Sequence, residues 1–115
     1  MSPEFHQDSC PNLEDIPPPS PGTVIRQEIL ARFKISQADL ARAMDVSKPW
    51  LSQVLSGRNH ITPEFALRLG KVTARHPTYW LNFQIEFDLY HKRLKLAEKL
   101  DKLYAFPEHT HNVLD

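Results

Sequence analysis

Cysteine, glycine and long apolar runs are all scarce in this sequence. Cys10 is the single cysteine, so no disulfide can form within the chain, and a reducing compartment is expected. No apolar run approaches the roughly 20 residues that a membrane-spanning helix requires. The first residues also lack the apolar stretch of a secretory signal. These features predict a cytoplasmic, single-domain protein without contact to a membrane.

The features that an enzyme needs are missing as well. The 3 glycines form no phosphate-binding loop, and no nucleophile stands in a recognisable arrangement with a general base. Glu108, His109 and His111 have the donor atoms of a metal clip, but they lie in a polar C-terminal end that is expected to fray. We therefore predict no catalytic residue, no cofactor and no metal site.

Charge is balanced overall but unevenly distributed along the chain. The formal net charge is zero. Residues 1–20 carry four acidic and no basic side chains, whereas residues 21–76 carry nine basic and four acidic ones. A basic segment of this kind is the electrostatic footprint expected of a protein that binds DNA.

Composition divides the chain into three parts. Residues 1–20 are acidic and interrupted by five prolines, which predicts a disordered N-terminal arm. We interpret this arm as a solvated tail, with shielding of the basic segment or docking on a partner as alternatives. Residues 21–104 predict a folded helix-turn-helix domain with a long last helix, and residues 105–115 predict a flexible tail.

Apolar residues recur at helical spacing and predict an all-α fold of five helices. The first helix starts at Ser20 and Pro21, because serine caps a helix and proline fits its first position. The fourth starts in the same way at Thr62 and Pro63. In the first helix, the face of Val24, Ile25, Ile29 and Phe33 is expected to pack beneath the helix-turn-helix, and the fourth helix carries the apolar residues Phe65, Leu67, Leu69 and Val72.

Residues 35–57 contain the most informative motif, two short helices joined by a tight turn. Ser36 and Asp39 have the spacing of a capping box, and Ser47 caps the second helix. Asp45 stands at the turn, where a left-handed backbone conformation is needed. The predicted buried positions are Leu40, Ala41, Met44, Val46, Leu51, Val54 and Leu55. This pattern predicts a helix-turn-helix, with an ordinary helical hairpin as the alternative.

The last helix, predicted from Pro77 to about Leu103, carries two apolar lines. A helix apolar over so much of its circumference has two surfaces to cover, of which one should be the core and the other a second subunit. We assign the dimer interface to Trp80, Phe83, Phe87 and Tyr90. The alternative seam consists of Leu81, Ile85, Leu89, Leu96 and Leu100, and the spacing does not choose between the two lines.

Three segments form a specific combination: Pro21-Gly22, SQADLARAMDVS, and ITPEFALRLGKV followed by PTYWLNFQ. Together they make the region from Pro21 to about Tyr90 similar to the HigA-type antitoxins, a branch of the lambda-repressor-like (XRE) DNA-binding proteins. The resemblance implies a lambda-repressor-like domain acting as a transcriptional repressor, with a homodimer on a palindromic operator. It also implies that the chain neutralises a small ribonuclease-type toxin and autoregulates the shared operon.

Three positions depart from the family pattern. Asp45 replaces the usual turn glycine, Trp50 is bulky for its place, and His76 is a poor helix cap. Two alternatives therefore stay open, a stand-alone XRE-type regulator and a protein-interaction module on the same fold that no longer binds DNA. Pro49 and Trp50 are the main support for the interaction module.

A helix-turn-helix presents the N-terminal residues of its second helix to the major groove. Lys48 can donate to guanine O6 or N7, and Gln53 can pair with adenine through two hydrogen bonds. Trp50 can either touch DNA or pack against the preceding helix. Phosphate contacts come from the N-termini of the two helices and from the loop that follows. The predicted DNA-binding residues are Gln37, Ser47, Lys48, Pro49, Trp50, Ser52, Gln53, Arg58 and Asn59.

Overall fold

The computed structural model of the protein describes residues 16–107. Its helices are α1 Pro21–Ile25, α2 Gln37–Met44, α3 Lys48–Leu55, α4 Pro63–Thr73 and α5 Pro77–Asp101. A π-helical segment, Arg26–Ala31, continues α1 without a break. No strand occurs between residues 16 and 107, and the predicted all-α fold of five helices is confirmed.

Local capping explains where most of the helices begin. The Ser20, Ser47 and Thr62 side chains each accept a hydrogen bond from the backbone N–H three residues later. A proline follows each cap within two positions, where its missing N–H removes no helical bond. His76 also caps, because its Nδ1 accepts from the Thr78 N–H at 3.2 Å. His76 is therefore a working cap despite its departure from the family pattern.

The turn between α2 and α3 has the predicted chemistry. Ser36 Oγ accepts from the Asp39 N–H at 3.0 Å, and the Asp39 carboxylate accepts from the Ser36 N–H at 3.0 Å. Asp45 has φ 58 and ψ 48, which places it in the left-handed region. The capping box and the left-handed turn residue are both confirmed, and both depend only on residues close in the sequence.

A single apolar core lies between α1, α2, α3, α4 and the first turns of α5. Its buried members are Val24, Ile25, Ile29, Leu40, Ala41, Met44, Leu51, Val54, Leu55, Ile61, Phe65, Ala66, Leu69 and Trp80. α1 docks closely on the end of α3, because a Cβ added at Gly22 would lie 2.0 Å from the Leu55 carbonyl oxygen. Only glycine permits this approach.

Three apolar residues of the first and fourth helical patterns are exposed. Phe33 is 60% exposed because the π-helical segment, with its wider turn, shifts the register of the residues that follow it. Leu67 is 60% exposed because it lies two positions after Phe65, on the opposite side of α4. Val72 is 39% exposed at the edge of the same helix. The predicted packing of Phe33 beneath the helix-turn-helix is therefore wrong.

The long last helix, α5, has 25 residues and is buried only near its start. Trp80 is 0% exposed, and its indole N–H donates to Thr73 Oγ1 at 3.2 Å. The assignment of Trp80 to a dimer interface is therefore wrong, because the core of the monomer already covers the whole side chain. Phe83, Phe87 and Tyr90 are half-buried, and their place in an interface stays a prediction.

Residues 1–15 of the predicted arm and residues 108–115 of the predicted tail lie outside the described residues, as do Cys10, Glu108, His109 and His111. Between residues 16 and 107 no cluster of three or more potential metal-ligating side chains is present. None of the helices in that range is long and apolar enough to cross a membrane.

Candidate nucleic-acid interface

The α3 helix divides into a buried apolar side and an exposed polar side. Leu51, Val54 and Leu55 are between 0% and 2% exposed and face the core. The exposed residues at its start and along its outer side are Ser47, Lys48, Pro49, Ser52 and Gln53. We call these five residues the α3 face. It has the size and position that a helix needs to present hydrogen-bonding groups to a groove of DNA.

Two arginines hold α2 and α3 in place by binding the ends of these helices. Arg68 Nη1 donates to the Met44 and Asp45 carbonyls at 2.9 and 3.1 Å, at the turn between α2 and α3. Arg26 Nη1 donates to the Leu55 carbonyl at 2.9 Å, at the end of α3. Cationic groups at helix C-termini stabilise carbonyls that have no helical partner. These bonds fix the angle at which the α3 face is presented.

Other basic residues of the segment are also used within the protein. Arg42 pairs with Asp39, and Arg75 lies 4.1 Å from the centre of the Tyr79 ring and near Glu28. Among residues 21–76, the basic side chains that form no hydrogen bond, ion pair or ring contact with another described residue are Lys34, Lys48, Arg58 and Lys71. The charge available to a nucleic acid is thus smaller than the sequence count suggests.

The Trp50 side chain packs against the core of the same chain. Its ring is half-buried and meets the Phe65 ring edge-on, with centroids 5.6 Å apart. Of the two interpretations left open by the sequence, packing is the one observed, although the partner helix is α4 and not α2. Trp50 therefore braces α3 against α4 and offers DNA only the part of its ring that remains accessible.

The N-terminus of α2, where Gln37 lies, already contains a negative charge. The backbone and side chain of Ser36 hydrogen-bond the Asp39 carboxylate and hold the pKa of Asp39 below its ordinary value of 3.8. The ionised carboxylate satisfies one free N–H of the helix start and pairs with Arg42. A phosphate approaching Gln37 would meet the remaining N–H groups of this turn.

The loop between α3 and α4 folds back onto α3. The backbone N–H groups of Arg58 and Asn59 donate to the Gln53 carbonyl at 2.9 and 3.1 Å. Asn59 Nδ2 donates to Gln53 Oε1 at 2.6 Å, while the Arg58 side chain is exposed. The structure therefore brings Gln53, Arg58 and Asn59 together beside the α3 face, and Gln37 lies apart from them at the start of α2.

The same loop is anchored to α5 by a residue that the site prediction missed. Gln84 is 9% exposed, and its Oε1 accepts from the Ile61 N–H at 2.8 Å. Its Nε2 donates to Asp88 Oδ1 at 3.0 Å, and Asp88 Oδ2 lies 3.4 Å from His60 Nδ1. The only sequence signal for this role is the glutamine of the WLNFQ segment. The loop beside the α3 face is thus tied to the helix expected to dimerise.

One side of α5 carries apolar side chains, of which Leu81 packs against the core while the others are only partly covered by the described residues. Leu81, Ile85, Leu89, Leu96 and Leu100 recur at intervals of four and seven residues and form one line along the helix, which we call the α5 stripe. Ile85 and Leu89 are each 50% exposed, and Leu100 is 42% exposed. Isolated exposed leucines are ordinary, but a continuous line of them along an exposed helix is typical of a protein interface.

Comparison with known proteins agrees with this geometry. A sequence profile for the helix-turn-helix family matches residues 25–80. An uncharacterised HTH-type transcriptional regulator of Escherichia coli, YddM, is 38% identical over 71 residues, covering 62% of this chain and 74% of that protein.

Two solved structures from Pseudomonas aeruginosa share the fold. The antitoxin HigA, solved with the higBA promoter, has a TM-score of 0.72 and 30% identity, covering 77% of this chain and 98% of that one. A protein solved in complex with its 18-base-pair operator DNA has a TM-score of 0.74 and 30% identity, covering 78% of this chain and 96% of that one. The chain therefore belongs to the helix-turn-helix family of DNA-binding proteins, in the lambda-repressor-like (XRE) branch that contains the HigA antitoxins.

Proposed function

We propose that this chain is a sequence-specific DNA-binding transcriptional repressor and the antitoxin of a HigBA-type toxin–antitoxin module. The observation that carries the proposal is the α3 face, where Lys48 and Gln53 are exposed while Leu51 anchors the opposite side of the helix in the core. A recognition helix requires this division, because base contacts need free polar groups and a fixed docking angle. The proposal assigns no enzymatic activity to the chain.

The α3 face supplies the chemistry for both kinds of DNA contact. Lys48 offers a charged donor suited to guanine, and the Gln53 amide offers one donor and one acceptor suited to adenine. Arg58, in the loop beside the face, is positioned for a phosphate. Ser47, Ser52 and the first turn of α2 at Gln37 add hydroxyl and backbone donors that set the register on the duplex.

A dimer follows from the small size of the reading unit. One α3 face contacts too few base pairs to select an operator, whereas a two-fold dimer reads two half-sites about one helical turn apart. We place the dimer seam on the α5 stripe, because Ile85 and Leu89 expose half of their surface while Trp80 exposes none. The resulting homodimer would bind a palindromic operator.

The antitoxin role has its support in the P. aeruginosa HigA structure, which was solved with the higBA promoter and shares 30% identity with this chain. By the same argument this chain represses its own operon and neutralises a small ribonuclease-type toxin encoded beside it. We place the protein in the cytoplasm, because a repressor must reach its operator DNA there. Co-expression with the product of the neighbouring gene tests the role, because the antitoxin should restore growth that the toxin alone arrests.

An interaction module that has lost DNA binding is the competing interpretation. Its main support in the sequence is Trp50 together with Pro49. Since the Trp50 ring packs on Phe65 within the same chain, it is no longer a free aromatic anchor for a partner. Pro49 alone does not favour a protein partner over DNA.

The decisive experiment compares alanine variants on selected and scrambled duplexes. The wild-type protein first selects an operator from a randomised duplex library at low ionic strength. Lys48→Ala and Gln53→Ala should each reduce the preference for this operator by a factor corresponding to about 1–3 kcal/mol, with little change on scrambled DNA. Arg58→Ala should weaken both duplexes alike and lower the salt slope by about one unit.

Lys71→Ala is the matched control, because it removes one unpaired charge from α4, away from the α3 face. It should change neither the operator preference nor the salt slope by a measurable amount. Equal losses on operator and scrambled DNA for the Lys48 and Gln53 variants would refute their assignment to bases. A wild-type protein that binds no duplex at low salt would refute the repressor function itself.

A further inference from the structure

Gln53 is bonded to Asn59 through both its main chain and its side chain. The Asn59 N–H donates to the Gln53 carbonyl at 3.1 Å, and Asn59 Nδ2 donates to Gln53 Oε1 at 2.6 Å. Asn59 is half-buried, whereas Gln53 is exposed. The half-buried Asn59 therefore holds the side chain of the exposed Gln53.

The bond matters because an unrestrained glutamine side chain can adopt several conformations and can therefore contact a base in several ways. An unrestrained glutamine side chain has three soft torsions, and ordering it on binding costs conformational entropy. Its amide can also rotate by half a turn, which exchanges the positions of donor and acceptor. The Asn59 bond engages Oε1 and leaves Nε2 without a partner among the described residues, so the orientation of the Asn59 amide selects one of the two Gln53 amide orientations before DNA arrives.

A fixed amide orientation discriminates between the two purines. Adenine presents a donor at N6 and an acceptor at N7 in the major groove, whereas guanine presents acceptors at both O6 and N7. The Gln53 Oε1 has a second lone pair, so it can accept from adenine N6 while it still accepts from Asn59. Turning the Gln53 amide to offer a donor to guanine O6 would break the bond from Asn59 Nδ2, and restoring a bond between the two side chains would require the half-buried Asn59 amide to turn as well.

We propose that Asn59 is a positioning residue that fixes the Gln53 amide and thereby sets the preference of Gln53 for adenine over guanine. The proposal rests on the proposed function, because it concerns how the α3 face reads bases. It differs from the phosphate contact that the sequence assigns to Asn59. A phosphate contact would change affinity on every sequence, whereas a positioning residue changes the preference at one base pair.

A double-mutant cycle on matched duplexes tests the proposal. The probes are four duplexes of the selected operator that differ only at the base pair where Gln53→Ala loses its preference. Asn59→Ala should reduce the adenine-to-guanine affinity ratio at that position about fivefold, and affinity for scrambled DNA should stay within about twofold. In the Gln53→Ala background, Asn59→Ala should leave the ratio unchanged.

Arg58→Ala is the matched control, since Arg58 shares the loop and the backbone bond to Gln53 but makes no side-chain bond to it. It should lower affinity for all four duplexes and leave the adenine-to-guanine ratio intact. Asn59→Ala keeps the backbone bond, and an unchanged thermal unfolding midpoint would verify that this variant folds.

A measurement without DNA separates this inference from the proposed function. In the free protein, the ¹⁵N order parameter of the Gln53 side-chain amide should fall in Asn59→Ala and stay constant in Arg58→Ala. An unchanged order parameter would overturn the positioning role even if operator binding is intact. Equal affinity losses on all four duplexes, or an effect of Asn59→Ala that persists without Gln53, would also overturn it.

Discussion

The helices α3 and α5 expose opposite kinds of surface. α3 has 8 residues, and Leu51, Val54 and Leu55 on its inner side are buried, which leaves a mainly polar outer face. α5 has 25 residues, of which only Trp80 and Gln84 are buried, and its α5 stripe stays exposed. The apolar side of α3 is thus covered within the chain, whereas α5 presents apolar area that residues 16–107 leave exposed.

This difference assigns the two helices to different partners. Polar, unpaired donors and acceptors suit the edges of bases, which present hydrogen-bonding groups. The thymine methyl group is the main apolar contact that bases offer in the major groove. A line of half-exposed leucine and isoleucine side chains suits another apolar helix. Gln84 and Asp88 connect the two regions, because they tie the loop after α3 to α5.

The largest expected effect separates the buried start of α5 from its exposed part. Trp80→Ala should lower the free energy of unfolding by about 3–5 kcal/mol, because it removes a fully buried indole and leaves a cavity. Leu94→Ala, at a side chain that is 61% exposed on the same helix, should change it by less than about 0.5 kcal/mol. Urea unfolding measures both, and similar losses for the two variants would contradict the division of α5.

The second effect concerns the α5 stripe. Leu89→Glu places a charge on the proposed seam and should weaken the dimer by about 2 kcal/mol, or roughly 30-fold in its dissociation constant. Leu94→Glu makes the same change outside the stripe and should leave the constant unaltered. Sedimentation equilibrium over a range of concentrations gives both values. A dimer that tolerates Leu89→Glu would place the seam elsewhere, with Phe87 and Tyr90 as the next candidates.

Breaking the link between α5 and the loop after α3 should cause a smaller loss of stability. Gln84→Met keeps the side-chain volume but leaves the buried Ile61 N–H without its acceptor, which should cost about 1–3 kcal/mol. Asp88→Asn retains an acceptor for Gln84 Nε2 and should cost less. Amide hydrogen exchange at Ile61 reports the loosening directly. Unchanged exchange in Gln84→Met would show that α5 does not hold the loop beside the α3 face.

The smallest expected effect is the pH dependence of folding stability that Asp39 contributes at the start of α2. Hydrogen bonds from Ser36 lower the pKa of Asp39, so the folded state favours the ionised carboxylate. The stabilisation is present above the unfolded pKa and is lost as pH falls through the lower, folded value. A carboxyl ¹³C titration should show the Asp39 pKa rising toward its ordinary value in Ser36→Ala. No rise in that variant would exclude the Ser36 side chain as a cause, because alanine keeps the backbone N–H that also bonds the Asp39 carboxylate.

Local chemistry made the helix-turn-helix predictable. The capping box at Ser36 and Asp39, the left-handed Asp45 and the Ser47 cap each involve residues within a few positions of one another. Patterns at this range are readable in a sequence because the partners are fixed by spacing. The exposed α3 positions followed from them, since knowing the buried side of an eight-residue helix also gives the other side.

Long-range contacts account for what the sequence did not reveal. Arg26 and Arg68 look like surface charges, yet their carbonyl partners lie 29 and 24 positions away. Trp80 fits an apolar line as well as Leu89 does, and only the packing of α5 on α4 shows that it is buried. The π-helical segment that exposes Phe33 has no sequence signature among the signals of caps and periodicity.

The most direct test of the account maps where DNA touches the protein. Backbone amide shifts would be followed by NMR as a selected operator duplex is added to the full chain. We expect the largest changes at the α3 face, at Gln37 and in the loop of Arg58 and Asn59, with only small changes around Trp80 in the core. Shift changes confined to the α5 stripe, with the α3 face unaffected, would contradict the assignment of α3 to DNA.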